Sequence, residues 1–344
     1  MLGFVALASL AAAVFFGLAP AFESAKSDIV GTLREAGRSS QSPIRGGVRA
    51  ALIVCEVMLG FVLVIGAGLM IRTFTKIQQV RPGFEAQHLL TFELDLGKFA
   101  PLDRINFVRD WENRVAALPG VDSVGGVSHL PLEGYSNWYS PYRPEGISRN
   151  EGATLLADHR AITPGYLRAM GTRLLEGRLF NEQDRTQGWQ VVIVDDTLAH
   201  AAWQGESAIG KRIEAEHFTA RGIVPVWSEV VGVVEHIRNH SLSKKVRGEI
   251  YIPFSQTPRE HLTFAVRTRV EPSALADTIR RELHRQDKDL ALANVRPMTS
   301  YVDRALAPVR FTAVLAGIFA GLALLLAAIR NLWGHLLLSF AAKA

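Results

Sequence analysis

A single cysteine, Cys55, stands among 344 residues, so no disulfide can form within the chain. It lies inside an apolar run, the surroundings of a small packing residue rather than of a nucleophile or metal ligand. No GxxxxGK followed by Ser or Thr occurs, so nucleotide hydrolysis by the P-loop route is not expected. GxSxG, HExxH and CxxC are also missing, which removes the commonest signatures of hydrolases, zinc proteases and thiol redox proteins. Charge of one sign is scarce too: 38 basic against 33 acidic residues leave a net +5. That excess is dispersed, with no Lys/Arg stripe interleaved with aromatics, and nucleic acid is not an expected partner.

Long apolar runs are what the chain has instead. They collect in three blocks, within an apolar content of 48%. Ala51 to Ile71 is ~21 residues, near the length that crosses ~30 Å of hydrocarbon as a helix. Arg49 and Arg72 flank it, placed to reach headgroups. Glu56 is its one charged residue; it either reaches the interface or pairs with a neighbouring helix, or else serves transport. Leu2 to Ala19 forms the first block, expected as a membrane helix over residues 1–20. A cleaved signal peptide is the competing reading, since Ala19-Pro20-Ala21 imitates a cleavage site, although no Lys or Arg precedes the run. Phe311 to Ile329, framed by Arg310 and Arg330, is the third, within a span expected over 310–330. Ala313, Gly317 and Gly321 lie four apart on it, a spacing that lets another helix approach closely.

Residues 21–50 carry Lys26, Arg34, Arg38, Arg45 and Arg49, the basic bias of a cytoplasmic linker. With that loop inside, the second span runs outward, and residues 75–308 form one large extracytoplasmic domain. Its hydrophobic patterning is mixed. Leu89 to Leu96 reads as a strand, Leu102 to Leu118 as a helix, and Val121 to His129 as a strand. The order recurs near the end with Leu262 to Arg269, Ser273 to His284 and Leu290 to Arg296. Two β-α-β units around an inserted subdomain predict a split α+β fold. Strands are expected in the insertion at Thr154 to Ile162, Val191 to Val194, Glu229 to Ile237 and Glu249 to Phe254. Short helices are expected at Pro164 to Met170 and Asp196 to Trp203.

Few residues in this domain suggest chemistry. His236 and His240 are four apart with Glu235 adjacent, but the stretch around His236 patterns as a strand, which removes helix-face ligand geometry. Asp195-Asp196 reads as a strand end whose carboxylate caps the following helix. Asp158-His159-Arg160 is charged but has no nucleophile beside it. No catalytic, cofactor-binding or metal-binding residue is expected, and a membrane-tethered hydrolase would lack its nucleophile–base pair.

Several segments taken in order resemble one family. They include Thr32-Leu-Arg-Glu-Ala-Gly-Arg-Ser-Ser40, Arg49-Ala-Ala-Leu-Ile-Val-Cys-Glu-Val57 and Gly66-Ala-Gly-Leu-Met-Ile-Arg-Thr-Phe74. Arg81-Pro-Gly-Phe84, Leu118-Pro-Gly-Val-Asp-Ser-Val124 and Leu130-Pro-Leu132 follow. Ile162-Thr-Pro-Gly-Tyr-Leu-Arg-Ala-Met-Gly171, Gly177-Arg-Leu-Phe180, Trp203-Gln-Gly-Glu-Ser-Ala-Ile-Gly-Lys-Arg212, Val230-Val-Gly-Val-Val234 and Ile250-Tyr-Ile-Pro253 continue the match. Together they resemble the MacB/FtsX-type ABC transporter permeases, most closely the duplicated orphan permeases often found in Acidobacteria. The three apolar blocks give three transmembrane helices, and the resemblance implies a MacB-like periplasmic core domain inserted between the first and second helices of a four-helix permease half, in a multi-pass inner-membrane protein. It implies a separate ABC ATPase subunit as partner, no cofactor held by this chain, contact with membrane lipid, and homo- or hetero-oligomers through the spans. The third span would open an FtsX-like permease domain, and residues 331–344 depart from the family pattern as a divergent tail. The chain is therefore expected to be a truncated member. A membrane-anchored binding or adaptor module without transport is the alternative.

Overall fold

The computed structural model describes residues 82–134, 138–146, 155–185, 190–219, 222–239 and 247–341, together with most of 54–76. The chain divides into two units, Ile65–Phe319 and a second made of Met1–Val64 with Ala320–Ala344. The larger unit is built on a 12-stranded sheet.

Its first part is two interleaved β-α-β units. Strand β1 (Leu89–Asp95), helix α1 (Pro101–Ala116) and strand β2 (Val121–Val127) form one. Strand β11 (His261–Thr268), helix α4 (Pro272–Gln286) and strand β12 (Ala293–Pro297) form the other. The strands lie in the order β12-β1-β11-β2, so each unit places one strand between the two of its counterpart. This is the split β-α-β arrangement that the repeated pattern predicts. Helix α1 opens with Pro at its first turn, where the missing N–H costs nothing, and carries Asp103 near its start and Arg114 near its end. Arg104, Val108, Trp111 and Val115 form its buried stripe, at the three- and four-residue spacing of one helix face. Trp111 meets the edge of Phe92, which in turn stacks on Phe264 at 5.5 Å.

The intervening residues supply strands β3 (Tyr139–Pro141), β4 (Arg143–Pro144), β5 (Leu156–Ile162), β6 (Leu174–Gly177), β7 (Val191–Asp195), β8 (Arg212–Thr219), β9 (Gly222–Val234) and β10 (Glu249–Pro253). Helices α2 (Tyr166–Met170) and α3 (Asp196–Trp203) lie among them. The insertion continues the same sheet in the order β2-β5-β10-β7-β9-β8-β4. The joint is narrow: β2 and β5 pair only through Val127 and Ile162. Hydrogen bonds flank it, from Ser128 N to Ala161 O at 2.9 Å and from Thr163 N to Gly126 O at 2.9 Å. The Ser128 and Thr163 hydroxyls each accept from a backbone N–H of the opposite strand. On one side of the joint, α2 lies almost flat on β2. A Cβ on Gly125 would stand 2.1 Å from Tyr166 N, and one on Gly165 2.0 Å from Val124 O, so only glycines allow the approach.

Three corrections to the patterning follow. Strands β8 and β9 form an antiparallel ribbon through Gly222–Glu229, of which the patterning predicts only Glu229 as strand, and β9 ends at Val234 rather than Ile237. Strand β12 begins at Ala293, not Leu290. Helix α5 (Thr299–Ala341) starts eleven residues before Arg310 and passes Arg330 without a break. Met298 alone separates it from β12, and Met298 and Tyr301 are buried in the core, with Val302 and Ala305 packed against it. Pro308 lies inside the helix.

Among the described residues one helical segment, Thr299–Leu325, is long and apolar enough to cross a membrane. A shorter apolar helical segment, Gly60–Thr73, overlaps the expected second span (51–71), most of whose residues before Gly60 lie outside the described ones. The expected first span (1–20) and linker (21–50) lie outside the described residues.

Candidate functional site

Two features combine: the apolar helix joined to the sheet, and a set of charges buried beneath the sheet joint. Helix α5 exposes Phe311, Val314, Leu315, Ile318 and Phe319. Burying a large apolar side chain is worth about 1.5–3 kcal/mol, so a row of them left exposed calls for a nonaqueous surrounding. Lipid provides one.

The charges sit where β5 runs parallel to β10, with Tyr251 opposite Arg160 and Glu249 opposite Asp158. Arg160 is 1% exposed and Glu249 0%. The Arg160 guanidinium donates to Glu249 Oε1 and to the backbone carbonyl of His129, just beyond β2. It thereby ties the insertion to the first β-α-β unit across the narrow joint. The second carboxylate oxygen accepts from Tyr251 Oη at 2.6 Å and Asn239 Nδ2 at 2.8 Å. Burial pushes the Glu249 carboxyl above the usual range, while Arg160 and the Tyr251 hydroxyl hold against it. A buried pair survives the loss of hydration only when its remaining hydrogen-bonding capacity is satisfied, and here both oxygens are.

Asp195 continues the set at the end of β7. Its Oδ1 accepts from Leu198 N at 2.8 Å, capping α3 as expected, and also from Glu249 N at 3.0 Å. Its Oδ2 meets His236 Nδ1. Burial alone would lower the His236 imidazole, but the Asp195 carboxylate outweighs it and holds the pKa above 6.5. His236 lies just past β9, outside the ladder. Its neighbour in the candidate pair, His240, lies outside the described residues, as do Cys55 and Glu56. Among the described residues no group of three or more His, Cys, Asp or Glu side chains is placed to hold a metal.

Asp158, His159 and Arg160 separate in role. Asp158 pairs with Arg247 at 3.0 Å. His159 is fully buried, 3.0 Å from Ser140 Oγ with its ring tilted against Trp138 at 4.8 Å, and burial lowers its pKa to about 3. Arg160 enters the charge set. Ser140 and His159 are both buried, and the contacts of these three residues tie neighbouring strands of the sheet together. Sequence patterning does not reveal this set because its members come from distant stretches, Arg160 and Glu249 being 89 residues apart. The one local signal was charge placed in otherwise buried strands.

A split α+β domain tethered by an apolar helix is the class these features define. The chain belongs to the family described as the MacB-like periplasmic core domain, whose profile matches residues 50–286. That family supplies the extracytoplasmic part of membrane permeases of the MacB/FtsX type, transporter components rather than enzymes, which work with a separate ABC ATPase. The protein is accordingly membrane-anchored with an extracytoplasmic domain. Among solved structures, the periplasmic region of MacB from Actinobacillus actinomycetemcomitans is 20% identical, with a TM-score of 0.41, covering 67% of this chain and 97% of that one. The extracellular domain of the ABC-type transporter YknZ from Gram-positive bacteria is 18% identical, with a TM-score of 0.36, covering 59% of this chain and 100% of that one. No curated protein matches the sequence.

Proposed function

We propose that the chain is the transmembrane permease component of a MacB/FtsX-type ABC transporter, coupling a separate ATPase to movement of the periplasmic domain or to efflux. The observation that carries this reading is the direct passage from β12 into α5. One residue, Met298, separates a strand of the extracytoplasmic sheet from the helix that is apolar enough to span. With the helix start packed into the core, displacement in the membrane reaches the sheet without a slack linker.

In the proposed arrangement, spans at 1–20, 51–71 and 310–330 bracket a cytoplasmic linker (21–50) and a periplasmic core domain (75–308). The basic bias of 21–50 supports that orientation. The spacing of Ala313, Gly317 and Gly321 supports helix packing between spans, within a homo- or hetero-oligomer in lipid. The chain itself is assigned no catalytic, cofactor or metal site.

Co-purification in mild detergent tests the coupling. An ABC ATPase should accompany the protein and be lost on deleting Ala21 to Ala50. Isolation without any ATPase would refute the permease role and leave a membrane-anchored adaptor. A reporter inserted after Arg160 should be active only outside the cytoplasm; activity inside would refute the orientation.

A further inference from the structure

At the edge of the sheet formed by the carboxyl ends of β1 and β2 lies a cleft of about 580 Å³, between the start of α1, the loop before β11 and Phe218 at the end of β8. Small-ligand sites generally enclose roughly 300–1,000 Å³. The walls combine apolar faces, Phe99 and Phe218, with Arg104, Arg259, His129 and one carboxylate, Glu260.

The two arginines differ in what they are committed to. Arg104 is buried, and its guanidinium is spent within the protein. It donates to the carbonyls of Leu96, Phe99 and Pro258 at 3.0–3.3 Å and stands 3.6 Å from Glu260. It braces the loop that forms the cleft. Arg259 is half-buried, with its guanidinium carbon over the Phe218 ring 3.5 Å from the centroid and 5.4 Å from that of Trp138. Trp138 in turn meets Phe218 edge-on at 4.5 Å, so the cation rests on an aromatic corner. Stacking on a π-face uses the plane of a guanidinium and leaves its in-plane N–H fork available. Among the described residues no carboxylate lies within ion-pair distance of Arg259, and no acceptor takes those N–H groups.

We infer that this cleft binds a small organic anion, a carboxylate carried on a flat aromatic body. The carboxylate would take the Arg259 fork and the body would lie against Phe99 and Phe218. A guanidinium fork matches the two oxygens of a carboxylate, which a neutral or purely apolar ligand would leave unused. The field in the cleft agrees. Burial, together with the charges of Arg160, Arg259 and His261, lowers His129 to about 4. Burial and the neighbouring Arg104 also lower Arg259, opposed by Glu260, whose carboxylate lines the cleft closer to Arg104. This inference does not depend on transport.

The test uses the full-length chain in phosphatidylcholine nanodiscs, with equilibrium dialysis of 2-naphthoate against empty nanodiscs. Saturable one-to-one binding is expected, with 2-naphthamide and acetate each weaker by about tenfold or more, and the same loss for naphthoate on Arg259→Gln. Binding that does not saturate, equal binding of the amide, or undiminished binding by a folded R259Q protein overturns the inference. A second readout needs no variant. Phenylglyoxal modification of Arg259 in the unsubstituted protein, followed by peptide mass spectrometry, should slow several-fold under saturating naphthoate. An unchanged rate rules the site out.

Discussion

Replacing Arg160 by Met removes the cation that neutralises Glu249 while keeping most of the side-chain volume. The carboxylate is then left 0% exposed with Tyr251 and Asn239 as its remaining donors, and the bond to the His129 carbonyl is lost. Breaking a buried pair from one side costs about 3–5 kcal/mol, because a charge stays desolvated without a partner. Glu249→Leu should cost a similar amount from the opposite side, leaving the guanidinium unpaired. Replacing both, with Met at 160 and Leu at 249, removes the stranded charge, so the double variant should be markedly more stable than the two single losses added together. Urea unfolding of the full chain in detergent, followed by tryptophan fluorescence, gives all four stabilities. Trp111, Trp138, Trp203 and Trp227 lie within the sheet domain and report on it. A single-variant loss below about 1 kcal/mol, or strict additivity in the cycle, would show that the pair is hydrated or unimportant and refute the argument.

Further outcomes are expected from the same construction. Gly125→Ala and Gly165→Ala should each destabilise by about 1–3 kcal/mol, since either Cβ meets backbone atoms near 2 Å; unchanged urea midpoints would refute the close packing of α2 on β2. His236 has a raised pKa, so the stability it contributes is fully present below 6.5 and is lost as pH rises through its folded value. His236→Asn should flatten the stability profile on that alkaline side, read from urea midpoints between about pH 6 and 8. His159 and His217 are lowered to about 3 and about 4, chiefly by burial, so their contribution is present above 6.5 and is lost as pH falls toward those values. His159→Gln should therefore lessen acid destabilisation between pH 6.5 and 4, and an unaltered acid slope would refute the burial argument.

Local signals carried much of the fold. The helix Asp196–Trp203 was delimited to the residue, because Asp195 supplies a cap and Gln204 follows in a left-handed conformation where the helix stops. The split units were legible because α1 and α4 have regular apolar stripes and each is bounded by proline. Strand β8 escaped notice despite a sound alternation, Ile213, Ala215 and His217 inward with Glu214 and Glu216 between. A histidine and two glutamates in eight residues mask a half-buried strand. The early part of β9 was hidden by Pro225, which usually argues against a strand interior. The charge set at Arg160, Asp195 and Glu249 could not be read locally at all. It exists only because the parallel register of β5 and β10 brings distant segments level. The aromatic corner under Arg259 has the same origin, since Trp138, Phe218 and Arg259 come from three separate stretches.

Pro308 gives helix α5 a mechanical character of its own. A proline in a helix interior removes one hydrogen bond and crowds the preceding turn, so bending stiffness drops there. The stub from Thr299 to Pro308 is about 14 Å long and is clamped to the sheet by Met298, Tyr301 and Val302. Beyond the proline the helix becomes a lipid-facing rod. In the proposed permease, sideways tilt of the helix would be taken up at Pro308, while the packed stub would stay with β12.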